Sequence, residues 1–193
     1  MTPTDDPDVQ LMLAAQRDES GAFEALFRKY GRQLTAFARQ FVGSQARAEE
    51  LVQDIFLHVY QTRGRYLPRA RFATWLYRIA TNACLSEVRR GEYRGRTVPL
   101  EPAADDDAPP PQFADPHARS GEEAVLSREA GERIHTVLAA LPAQQRAALL
   151  LTRVEGFSYE EAAESLGCSL SAVKSLIHRA TLAVREQLAD EVR

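Results

Sequence analysis

The stretch RFATWLYRIATNACLSEVRR, Arg71 to Arg90, decides the fold class. At about 100° per residue, Phe72, Leu76, Ile79 and Ala83 gather on one side of a helix and form a core face. Arg71, Arg78, Asn82 and Arg89 lie within about 20° of a second line, and Trp75 sits between the two. The spacing predicts a helix with an apolar side and a basic ridge. Arginines attract phosphate, an amide can donate and accept at a base edge, and an aromatic ring can stack on an unpaired base. A solvated helix face would also fit such a stretch, and Trp75 fits core or base contact equally.

Upstream, the same period continues. A short helix is predicted over Val9–Arg17. Ser20 is placed to cap a second helix with the apolar set Phe23, Leu26, Phe27, Tyr30, Leu34, Phe37 and Phe41. Gly43 and Ser44 break it, and Ser44 starts a third helix that runs to about Thr62. Leu51, Val52, Ile55, Phe56 and Val59 serve the core of that helix. Its other edge carries Glu50, Gln53, Asp54, Leu57 and Gln61. An acidic, amide-bearing edge with one leucine fits a protein partner or plain solvation. No segment alternates apolar and polar residues, so an all-α chain without sheet is expected.

Downstream, six of the ten prolines crowd between Pro99 and Pro116, together with Asp105, Asp106 and Asp107. Proline removes backbone donors and like charges repel, so residues 94–121 read as a flexible acidic linker. The chain then divides into residues 1–93, the linker 94–121, and residues 122–193. Charge follows this division. The net charge of -3 comes from 24 basic and 27 acidic side chains, but residues 63–96 hold nine arginines against Glu87 and Glu92. The linker hides a basic footprint of the kind that suits nucleic acid.

The C-terminal unit carries two capped helices around a glycine turn. Leu141-Pro142 opens one helix and Gly156 ends it. Ser158 caps Tyr159–Leu166, with Glu160 and Glu161 in the first turn where the helix dipole favours anions. Gly167 is the turn residue, and Ser169 caps a last helix from Leu170. Val173, Ile177, Ala180 and Val184 face its core. Ser171, Lys174, Ser175, His178 and Arg179 line its other side, which suits a DNA major groove. An ordinary αα-hairpin is the plainer alternative.

Other functions find little support in the sequence. No nucleophile–base pair, phosphate loop or metal cluster stands out, so neither enzyme activity nor a cofactor is expected. There is no run of eighteen apolar residues and no basic-then-apolar leader, so no membrane insertion and no secretory signal are expected. Cys84 and Cys168 lie far apart, which suits a reducing, cytoplasmic setting.

Two motif sets resemble a known family. Leu51-Val52-Gln53-Asp54-Ile55-Phe56, Arg65-Tyr66-Leu67-Pro68 and Phe72 through Asn82 resemble region 2 of the extracytoplasmic-function (ECF) sigma factors, a branch of the bacterial sigma-70 family. Leu141 through Arg146, Glu155 through Ala163 and Val173 through Ala180 resemble region 4. The resemblance covers nearly all of the chain outside the linker. It implies a transcription initiation factor with two helical domains. Glu50, Gln53, Asp54, Leu57 and Tyr60 would meet the β′ clamp helices of core RNA polymerase. Arg65, Arg69, Arg71, Trp75, Arg78, Asn82 and Arg89 would face minus-10 promoter DNA, with the loop around Gly64–Ala70 capturing a flipped-out base. Ser171, Lys174, Ser175, His178 and Arg179 would enter the minus-35 major groove, and the first helices of region 4 would sit on the β flap. The resemblance also implies control by an anti-sigma factor. One departure is Leu176, which stands where the family often has arginine or lysine; leucine offers no hydrogen bond to DNA.

Overall fold

The computed structural model describes residues 5–97, 131 and 133–190. Helix α1 is Pro7–Gln16, α2 is Ala22–Val42, α3 is Gln45–Thr62, and a 3-10 turn follows at Arg63–Arg65. Helix α4 is Phe72–Thr97, α5 spans residues 133–139, α6 is Ala143–Arg153, α7 is Tyr159–Leu166 and α8 is Leu170–Asp190. No strand occurs among the described residues. The predicted acidic linker lies outside them from residue 98 onward.

Local chemistry sets most of these boundaries. Helix α1 starts two residues before the expected Val9, because Asp6 caps it and Pro7 takes the first helical position. Ser20 is not the cap of α2. Gly21 holds that place in a left-handed conformation (φ 81°) with no side-chain hydrogen bond. Ser44 does cap α3 and accepts from the Arg47 amide at 3.4 Å. Helix α4 continues past the expected Arg90 to Thr97, so its last turn runs into the stretch that the prolines had marked as linker. At α7, Ser158 and Glu161 form a reciprocal capping box, and Gly167 ends the helix with φ 63°.

Helices α1–α4 pack into one bundle. Val9 and Met12 of α1, Leu26, Leu34 and Phe37 of α2, Val59 of α3, and Phe72 and Leu76 of α4 are almost wholly buried. Phe27 departs from its expected core place: it stays 46% exposed. It lies at the edge of the apolar arc of α2, about 40° from Phe23. The C-terminal unit closes α6 and α7 over α8 around Ala147, Leu151, Ala162, Val173 and Ala180.

The two units also pack against each other, and this positions the surfaces discussed below. Helix α7 lies along α4. Phe157 meets the Tyr77 ring edge-on at 5.1 Å, and the Tyr77 hydroxyl donates to Glu155. Ser165 Oγ donates to the Thr74 carbonyl at 3.2 Å, with both residues buried. At the other end, Arg146 donates to the Gln40 carbonyl and stands over the Phe41 ring, while His135 Nδ1 lies 3.0 Å from Gln40 Oε1. Arg146 also donates to Ala139 and Leu141 carbonyls, so both terminal nitrogens of its buried guanidinium find acceptors, while Nε finds none among the described residues. Most buried apolar residues of both units form one continuous cluster, with Ala14, Ala15 and Ala22 in a small one of their own.

Candidate nucleic-acid and partner interfaces

Helix α3 presents the first surface. Val52, Ile55, Phe56 and Val59 turn inward, so Glu50, Gln53, Asp54, Leu57 and Tyr60 must turn outward, and all five are exposed. Leu57 and Tyr60 are large apolar groups left 54% and 43% in solvent. The Tyr60 ring is held between Phe23 at 5.1 Å and the Arg63 guanidinium at 4.0 Å. Phe27, 4.8 Å from Phe56, extends the same apolar ground onto α2. Sequence reasoning missed Phe27; its place at the margin of the apolar arc was the available signal. At the start of α3, Arg47 pairs with Glu50 at 2.8 Å and reaches Glu87 at 3.5 Å. Glu87 also pairs with Arg90 on α4. An open cleft of about 310 Å³ lies between Phe41, Arg47, Glu87 and Gly91. The arrangement gives an exposed acidic and apolar face, suited to a protein with basic and apolar groups.

The second surface is the ridge of α4 and the loop before it. Arg71, Arg78, Asn82 and Arg89 are exposed along one side, as the 3.6-residue period requires, and Arg65 and Arg69 are exposed in the loop. Trp75 is half-buried. It contacts Tyr66 edge-on at 4.8 Å and Phe72 at 5.8 Å, so it is both core and rim. Burial, with the charge of Asp6, pushes the Tyr66 phenol up to about 12. Arg71 is engaged across the domain boundary by Glu161 at 3.1 Å. The ridge is therefore formed, with one end tied to α7.

The third surface is α8. Ser171, Lys174, Ser175, His178 and Arg179 are all exposed on one face, opposite the buried Val173, Ile177 and Ala180. Ser169 caps the helix through the Ala172 amide at 3.2 Å. Ser175 Oγ donates to the Ser171 carbonyl and Arg179 Nε to the Ser175 carbonyl, which keeps these groups close to the helix. Leu176 is partly buried against the core, so it packs the helix rather than lining the basic face.

Neither thiol has the setting of a nucleophile. Burial pushes Cys84 up to about 12 and also raises Cys168. No cluster of metal-ligating side chains occurs among the described residues, and no helix there is long and apolar enough to cross a membrane.

Comparison with known proteins identifies the family. The family model for sigma-70 region 2 matches residues 26–94, and that for sigma-70 region 4 matches residues 131–183. The RNA polymerase sigma-H factor of Pseudomonas aeruginosa is 32% identical over 98% of this chain and 98% of its own length. The ECF RNA polymerase sigma factor SigE of Mycolicibacterium smegmatis is 33% identical over 97% of this chain and 70% of its own. Among solved structures, CnrH in complex with the cytosolic domain of CnrY superposes with a TM-score of 0.69 at 25% identity, covering 96% of this chain and 99% of that one. The sigma factor RpoE of Bartonella quintana, solved with the anti-sigma factor NepR, gives a TM-score of 0.65 at 26% identity, covering 88% and 98%. Such factors initiate transcription and are not enzymes. With both sigma-70 regions matched in order and relatives at 32% and 33% identity covered over 98% and 70% of their length, this chain belongs to the ECF branch of the sigma-70 family of RNA polymerase sigma factors.

Proposed function

We propose that the chain is an alternative sigma factor that works in the cytoplasm. It binds core RNA polymerase, reads minus-10 and minus-35 promoter elements, promotes DNA opening, and is held in check by an anti-sigma factor. The observation that carries this reading is the presence of three separate exposed faces, each with its own chemistry. Helix α3 offers Glu50, Gln53, Asp54, Leu57 and Tyr60 to the β′ clamp helices. Arg65, Arg69, Arg71, Trp75, Arg78, Asn82 and Arg89 meet minus-10 DNA. Ser171, Lys174, Ser175, His178 and Arg179 enter the minus-35 groove, and α6 and its neighbours meet the β flap. The boundaries assigned to the two domains and the linker form part of the same proposal. A solved neighbour bound to an anti-sigma factor, RpoE with NepR, supports the regulatory part.

A division of labour follows. Lys174→Ala should weaken binding of the polymerase–sigma complex to minus-35 promoters by about tenfold and lower the salt slope by about one. Its affinity for core polymerase should stay the same. Filter binding over a salt series, beside a core-binding titration, reads both; an equal loss in the two assays contradicts the assignment.

The docked arrangement bears on how the factor works. Promoter elements centred near minus 10 and minus 35 are about 85 Å apart along duplex DNA, at about 3.4 Å per base pair. A compact chain of this length has a radius of gyration of about 16 Å. The two DNA faces can therefore serve together only after α7 leaves α4. Residues 98–130, fully extended, reach at most about 110 Å, which is enough.

Docking should respond to pH through two groups. Burial raises the Glu155 carboxyl, against the Tyr77 hydrogen bond that lowers it. The docked form then holds that proton more tightly, so Glu155 favours docking at low pH and loses this as pH rises through its raised value. His135 is lowered by burial, Arg39 and Arg146. Its contribution is present above its ordinary value of about 6.5 and is lost as pH falls. Glu155→Gln removes the first effect and keeps an acceptor for Tyr77. Energy transfer between dyes on α3 and α8 should show the variant undocking more steeply than wild type on acidification. Superimposable profiles would exclude this role for Glu155.

A further inference from the structure

We infer that α1 is a brace for the loop at residues 63–71, and that Gln16 is a positioning residue for the base this loop captures. The inference rests on the base-capture reading above, which assigns no part to α1. Three ties fix the loop from outside. Gln16 Nε2 donates to the Arg63 carbonyl at 2.7 Å and to the Tyr66 carbonyl at 2.9 Å. The Arg63 side chain returns to α1, donating through Nε to the Ala15 carbonyl at 3.3 Å and through Nη2 to Asp18 at 2.5 Å. At the far end, buried Asp6 caps two helices at once: Oδ1 accepts from the Asp8 amide and Oδ2 from the Phe72 amide, both at 3.0 Å. Phe72 opens α4 directly after Arg71, the first residue of the basic ridge, so the start of the ridge is held by the cap of the helix that pins the loop.

Asp8 anchors the brace itself. It takes Lys29 at 2.5 Å and the Tyr30 hydroxyl at 2.5 Å, both from α2. Arg63, Tyr66 and Phe72 are therefore held at the start, middle and end of the loop, and each hold comes from α1 or its cap. Between the last two, Leu67 is 60% exposed and Arg69 is exposed. A loop ordered in advance loses less conformational freedom when it closes on a ligand. Gln16 is not part of the apolar core, and it meets the second surface only from behind, through backbone carbonyls of its loop. Among the described residues, its side-chain hydrogen bonds go to loop carbonyls, which is what a positioning role requires.

The test uses the complex of the full chain with core polymerase, and forked promoter templates carrying an abasic nucleotide at successive minus-10 positions. Wild type should bind the template that lacks the captured base markedly less well than the intact one. Gln16→Ala should shrink that ratio about fivefold, as expected for two lost hydrogen bonds acting through a loop. Its affinity for core polymerase and its minus-35 dependence should not change. Gln16→Glu, which loses both donors, should shrink the ratio at least as far, and Gln16→Lys, which restores donors of similar reach, should recover part of it. A ratio unchanged in both Gln16→Ala and Gln16→Glu overturns the brace and leaves base capture standing. Proportional loss on every template, or of core binding, overturns it as well and makes Gln16 merely structural. If wild type shows no abasic-sensitive position, base capture fails and the brace fails with it.

Discussion

Asp54→Arg lowers the affinity for core polymerase at least about a hundredfold and leaves the fold intact; this is the largest single effect expected. Asp54 is exposed in the middle of α3, between Glu50 and Leu57 on the outward face. Close charge pairs across protein interfaces couple by about 1.5–7 kcal/mol, and reversing the charge turns an attraction into a repulsion. Some 2.8 kcal/mol corresponds to about a hundredfold in affinity. The fold should hardly notice. Arginine is a better helix former than aspartate, and Glu50 one turn earlier gains an oppositely charged neighbour. Fluorescence anisotropy against core polymerase, with a thermal melt beside it, separates the two effects. Wild-type affinity in the variant would remove α3 from the polymerase interface.

Ser165→Arg separates the two domains. Glu161 and Ser165 are one turn apart on the face of α7 that meets α4. Glu161 reaches Arg71, and Ser165, with no solvent exposure, donates to the Thr74 carbonyl. A long charged side chain has no room there and no acceptor set to offset its desolvation. Ala162 and Ala163, the apolar residues that α7 buries in the core, stay unchanged, so region 4 itself should remain folded. Small-angle scattering should give wild type a radius of gyration near the compact value of about 16 Å and the variant a clearly larger one. The freed Arg71 should also strengthen binding to single-stranded minus-10 DNA by the chain alone. An unchanged radius with a normal melt would mean that the docked form does not depend on this contact.

Much of this molecule is legible in its sequence because the signals are local. Ser44, the Ser158–Glu161 box and Gly167 mark helix ends through chemistry that spans four residues or fewer. The outward faces of α3 and α8 follow from the helical period alone, and so does the ridge of α4. What escaped notice is set by partners distant in the chain. Ala73, Tyr77, Ala80 and Cys84 form a second apolar stripe on α4 at i, i+4, i+7 and i+11, and all four are buried. A helix buried along two stripes packs on more than one side, and one of its neighbours, α7, lies beyond the linker. Thr74 and Ser165 gave no such hint, since small polar residues usually face solvent. Phe27 misled in the opposite direction, because an aromatic at the edge of an arc can belong to core or interface. The dual cap by Asp6 joins residues 66 positions apart, and no local rule reaches that far.

Runoff transcription with purified core polymerase, free of other sigma factors, tests the central claim most directly. Added to core polymerase on genomic fragments, the wild-type chain should yield discrete transcripts that core alone does not make, and Asp54→Arg should abolish them. If the wild-type chain adds no promoter-dependent transcript, or the variant yields the same ones, the account is contradicted.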